Sequence, residues 1–199
     1  MTTSTWPEAQ ALLIFWFDDP AVPNSEYGQQ RKIWFRKDPS FDQQVRDRFL
    51  AVYERASQGE CDRWLEQPDS ALALTILLDQ FPRNMFRGTA RCFEADAPAL
   101  ATAKTAIARD YDQSRLPIER MFFYLPFEHS ENIEHQHQAV SLFETLVQDA
   151  PALQTPLDYA YRHRDVIAQF GRFPHRNEIL GRPSTPAECQ FLQQPGARF

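Results

Sequence analysis

Two segments gather side chains suited to anion recognition where apolar runs stop. One reads Asp79-Gln80-Phe81-Pro82-Arg83-Asn84-Met85-Phe86-Arg87-Gly88. The other reads Gly171-Arg172-Phe173-Pro174-His175-Arg176-Asn177-Glu178-Ile179-Leu180-Gly181-Arg182. Both run Phe-Pro, then Arg-Asn, then Gly four residues after the Asn, with His175 inserted in the second. Proline cannot continue a helix, so Pro82 is expected to end or kink the one it follows. Asn tolerates the left-handed region and closes turns, and the glycine supplies a positive φ at a second stop. A guanidinium at such a corner offers a planar fork for a carboxylate or phosphate. Asp79, Arg83, Asn84, Arg87, Arg172, Arg176 and Asn177 are therefore candidate ligand contacts. The same groups also suit a purely structural task, bonding the orphan carbonyls and turns at helix ends.

A third segment, Phe122-Phe123-Tyr124-Leu125-Pro126-Phe127-Glu128-His129-Ser130-Glu131, crowds an imidazole among carboxylates. In an enzyme, His129 or His175 would act as general base, with Glu128 or Glu131 fixing its tautomer. The alternative is a helix start, with Ser130 as N-cap and the acids meeting the helix dipole. His129, Glu131, His135 and His137 are close in sequence but lack His-Glu-x-x-His spacing, so no metal is expected. No nucleophile elbow, Walker loop or dinucleotide fingerprint is present, and no cofactor is expected. Cys61, Cys92 and Cys189 are odd in number and lack metal-ligand spacing; they read as reduced thiols.

The elements that must position these residues are helices. Thr5, Pro7 and Glu8 resemble a capping box for a helix through Phe17. Asp38-Pro39 resembles an N-cap with proline in the first turn. Phe41, Val45, Phe49, Val52 and Ala56 follow at helical spacing, and Gly59 ends the run. Ala71–Leu78 is almost wholly apolar, as a helix buried on most sides would be. Further helices are expected from Asp96, Pro117, Ser130 and Thr155, and a capping box at Thr185–Glu188 opens the last. No strand or hairpin signal is found. Eight to ten helices in one domain are expected, with a loose tail from Gln193.

The chain of 199 residues is 43% hydrophobic and can bury a substantial core. Its net charge of −6 gives no general reason to expect nucleic acid or an anionic membrane as a partner. Residues 1–8 lack the character of a secretory signal, and the longest apolar run, Ala11–Phe17, is far too short to span a bilayer. A cytoplasmic protein is expected.

Taken together, Phe15-Trp16-Phe17, Trp34-Phe35, Leu77–Asn84, Leu125-Pro126 with Glu128–Glu131, and Gly171–Asn177 with Leu180–Arg182 resemble the bacterial DUF924 family over nearly the whole chain. The resemblance implies an all-α fold similar to tetratricopeptide-repeat superhelices of antiparallel helix pairs. It implies no reaction. A binding module for a small anionic molecule or peptide is the favoured expectation. The alternatives are a hydrolase or lyase using a His/Glu pair, and motifs that serve the fold alone.

Overall fold

The computed structural model describes residues 6–197, and every regular element among them is helical. The eight α-helices are α1 Pro7–Phe17, α2 Pro39–Ser57, α3 Pro68–Met85, α4 Asp96–Ala108, α5 Pro117–Glu128, α6 Ile133–Asp149, α7 Gln154–Phe170 and α8 Pro186–Phe191. Short 3-10 turns join several of them. None is long and apolar enough to cross a membrane. The chain divides into two compact units, one holding residues up to Arg87 with Arg91–Pro126, the other Gly88–Ala90 with the residues from Phe127 onward.

In the first unit α3 is central, with α1, α2 and α4 packed on it. Its residues Ser70–Pro82 are all buried, as the nearly all-apolar run Ala71–Leu78 within them requires. Above it lies an aromatic cluster. Trp16 packs within 6 Å of Trp34, Phe81 and Phe122, and Phe15 stacks on Phe41 at 5.3 Å. Each such ring contributes about 1.5–3 kcal/mol by leaving water. Arg31 donates to the carbonyls of Phe15 and Trp16, and the Trp34 indole donates to the same Trp16 carbonyl. These bonds satisfy the open end of α1, which no glycine caps.

Local helix signals succeed where the cap is a side chain. Asp38 Oδ1 accepts from the backbone N–H of Ser40 and Phe41. Thr185 and Glu188 form the reciprocal capping box. Three expectations need correction. Trp6, without a side-chain bond, occupies the N-cap of α1, and Thr5 lies outside the described residues. Asn132, not Ser130, caps α6, its Oδ1 accepting from Glu134 N–H; the Ser130 hydroxyl instead meets Nδ1 of His135 at 2.8 Å. Pro82 does not stop α3, which runs on to Met85. Burial of Phe81, Pro82, Asn84 and Met85 favours the helical path despite the missing N–H. The Arg83 guanidinium donates to the Asp79 carbonyl at 2.6 Å, in the turn that the ring disturbs.

In the second unit α6 packs along α7. Val166, Ile167 and Phe173 form a core with Ile133, Phe170 and Phe191. Gly171 ends α7 in the left-handed conformation, φ +67°, its N–H returning to the Ile167 carbonyl. In the same unit, Arg162 donates to the Gly196 carbonyl and Ala197 is buried.

Candidate functional site

The two Phe-Pro-Arg-Asn segments have different backbones. The first is helical and lies within α3; the second is a 3-10 turn, Pro174–Arg176, after the Gly171 stop. The glycine that closes each, Gly88 or Gly181, does take a positive φ.

In the first unit the motif side chains meet acids of the protein itself. Arg83 Nη1 lies 2.8 Å from Asp96 and 3.6 Å from Asp79, with its ring of charge over Phe93. Burial disfavours its charge, but Asp96 and Asp79 outweigh that and hold its pKa above the ordinary arginine value. Asp79 is 1% exposed and accepts from Gln80 at 2.6 Å. Asn84 Nδ2 donates to Asp42 Oδ1 at 2.8 Å, and Arg87 grips both Asp42 oxygens at 2.9 Å. Asp42 sits in the first turn of α2, so this trio fastens the end of α3 to the start of α2.

The second unit gathers the remaining candidates into two linked networks. Glu131 accepts from Arg182 through both carboxylate oxygens, at 2.7 and 3.0 Å, and from the Phe173 N–H at 2.8 Å. Burial raises its pKa, but the Arg182 and Phe173 donors prevail and leave it below the ordinary glutamate value. Arg182 also donates to Asn177 Oδ1 and the Phe173 carbonyl, while Asn177 donates to Ser184. Arg176 is buried, donates to the His129 carbonyl and lies over the Phe173 ring. The Phe173 ring also packs 5.5 Å from His175.

Glu128 pairs with an imidazole absent from the sequence candidates. His163 on α7 places Nδ1 2.9 Å from Glu128 Oε1 and 2.9 Å from the Tyr159 carbonyl. Both neighbours are acceptors when Glu128 is ionised, which assigns a proton to Nδ1. Both side chains are buried, and Glu128 Oε2 accepts no hydrogen bond. His129 stands beside the pair, its ring 6.4 Å from that of His163. Gln136 donates to the carbonyls of Glu128 and Ser130, at 2.7 and 2.6 Å, and so covers the open end of α5. Among the described residues no three His, Cys, Asp or Glu side chains come together as a metal would require.

Arg172 is paired much as Arg87 is. Nε and Nη2 bind Glu188, at 2.6 and 2.8 Å, and Nη2 also reaches the Pro183 carbonyl. Arg172 and the Thr185 N–H hold the Glu188 carboxyl well down, at about 2. Nη1 of Arg172 makes no bond, and the residue lines a shallow open depression of 590 Å³ with Gln169, Phe170, Thr185, Ala187 and Glu188.

His163, Gln136 and Asp42 were not marked by the sequence, while Arg182 stood only in the second motif, Asp96 only as a helix start and Glu188 only in a capping box. Their partners are distant along the chain, and no spacing rule links them.

The family model for bacterial proteins of unknown function, DUF924, matches residues 12–196. The solved structure of a protein of unknown function from Agrobacterium tumefaciens is 44% identical, covering 93% of this chain and 96% of that one, with a TM-score of 0.81. No curated protein matches. A match this extensive, joined to the all-helical fold, means that the chain belongs to the DUF924 family.

Proposed function

We propose that the protein is a cytoplasmic binding module for a small anionic molecule or an acidic peptide, with Arg172 as its contact. The carrying observation is that Arg172, with its Nη1 unused, lines an open depression together with Gln169 and Thr185. Arg83, Arg87 and Arg182 also bind protein carboxylates but do not line that depression, and in this reading they hold the fold. The packed pairs α2–α3 and α6–α7 are compatible with the stacked helix pairs of a tetratricopeptide-like array, which forms part of the proposal. A thermal-shift panel of phosphate, citrate and acidic peptides tests it. Gln169→Glu sets a negative charge in the depression without touching the Arg172–Glu188 pair. Stabilisation of wild type that this variant loses supports the reading; equal stabilisation of both, or none, removes it.

A second reading, a hydrolase or lyase acting on a small anionic substrate, rests on the Glu128–His163 pair. The carboxylate fixes one ring nitrogen, as a general base requires. Turnover of ester and phosphoester panels that falls in both Glu128→Gln and His163→Gln would support it. Turnover equal in wild type and variants, or absent throughout, would dismiss it.

A further inference from the structure

The segment Arg31-Lys32-Ile33-Trp34-Phe35-Arg36-Lys37 runs against the charge of the chain. It holds two of the three lysines of a protein whose net charge is −6. Arg31 is paired with Glu26, and Arg36 with Asp38. Lys32 and Lys37 have no ion pair or hydrogen bond among the described residues, which leaves the segment a local surplus of positive charge. Gln30, Arg31, Lys32, Phe35 and Arg36 line a shallow depression of 590 Å³.

Phe35 is 55% exposed, yet its neighbours are fixed. Trp34 is buried and its indole donates to the Trp16 carbonyl at 2.8 Å. Arg31 is bonded to the end of α1. The Phe35 ring lies nearly parallel to Phe122, at 12° and 6.5 Å, and edge-on to Trp34. An exposed aromatic ring is thus anchored by buried neighbours, with the uncommitted Lys32 lining the same depression.

Simple anions would gain nothing from the ring, and an apolar ligand would gain nothing from the lysines. A planar base joined to a phosphate uses both, through stacking and charge. We propose that the depression at Gln30–Arg36 binds a nucleoside phosphate, with Phe35 stacking on the base, Lys32 in the lining meeting the phosphate, and Lys37, next along the chain, adding positive charge. The chemistry is shared by free nucleotides and single-stranded nucleic acid. This site is separate from the Arg172 depression and does not depend on it.

The test is titration of the intact protein with AMP, ATP, inorganic phosphate, a short labelled oligothymidylate and phosphatidylserine vesicles at low salt. All titrations are run in the Gln169→Glu background, where the Arg172 depression carries an added negative charge, and that chain is compared with the same chain carrying Phe35→Ala or Lys32→Glu/Lys37→Glu, each first shown to melt near the wild-type temperature. The expected result is nucleotide binding that persists in Gln169→Glu and weakens about tenfold when either further change is added. Tighter binding of the oligothymidylate than of AMP identifies single-stranded nucleic acid as the source; equal or weaker binding identifies the free nucleotide. The proposal is overturned by no binding, by affinities that ignore Phe35 or the lysines, by phosphate binding as tightly as AMP, or by binding to vesicles alone.

Discussion

Glu128 Oε1 lies 2.9 Å from His163 Nδ1 inside the second unit, while Oε2 of the same carboxylate is buried and accepts no hydrogen bond. A group so placed depends on one partner. Replacing His163 with Leu strands the carboxylate and is expected to cost about 3–5 kcal/mol. Glu128→Met/His163→Leu together should cost less than either single change, because an apolar pair leaves no buried charge behind. Urea denaturation of the three variants reads this directly. A double variant weaker than both singles would mean that the pair itself stabilises the unit.

Arg83 separates Asp79 from Asp96. Arg83→Met removes the cation and leaves two acids, one fully buried, facing each other. A loss of about 2–4 kcal/mol is expected in thermal or urea unfolding. A loss below about 1 kcal/mol would show that solvent already screens the site.

Glu188 should make stability depend on acid. Its pKa is about 2 when folded and close to 4.5 when unfolded. The deprotonated form is favoured by folding, so its contribution is fully present above pH 4.5 and is lost as pH falls toward 2. Glu131, also depressed, acts in the same direction. Arg172→Ala should flatten the pH dependence of the melting temperature between pH 2 and 5. An unchanged slope would place the acid sensitivity elsewhere.

The capping box at α8 is a smaller and cleaner target. Thr185→Ala removes the acceptor for Glu188 N–H. A loss of about 1 kcal/mol is expected, and Thr185→Ser should restore most of it.

Much of the fold was legible because its causes are local. Asp38 and Thr185 cap within three residues of themselves, and Gly171 stops α7 by its own backbone freedom. Pro82 misled in part for the same reason: its local rule says stop or kink, and burial of the residues around it outweighs one missing hydrogen bond, so the helix does not stop. Ser130 and Asn132 are both good caps, and only the path of the chain chose between them. The Phe-Pro-Arg-Asn repeat was a likeness of letters, read out once as helix and once as a 3-10 turn. At the candidate site Glu128 and Glu131 were legible as unusual, but their partners were not. Arg182 reaches Glu131 across 51 positions, and His163 sits in an ordinary polar stretch of α7.

Arg31 reaches back to the carbonyls of Phe15 and Trp16, so the loop that leaves α1 is tied to the helix it leaves. Helix ends commonly fray, and amide hydrogens there exchange quickly. Here the last turn of α1 cannot loosen without releasing the chain between residues 18 and 31. The two should open as one cooperative step, and amides on both sides of the clasp should share a single exchange rate that Arg31→Ala accelerates together.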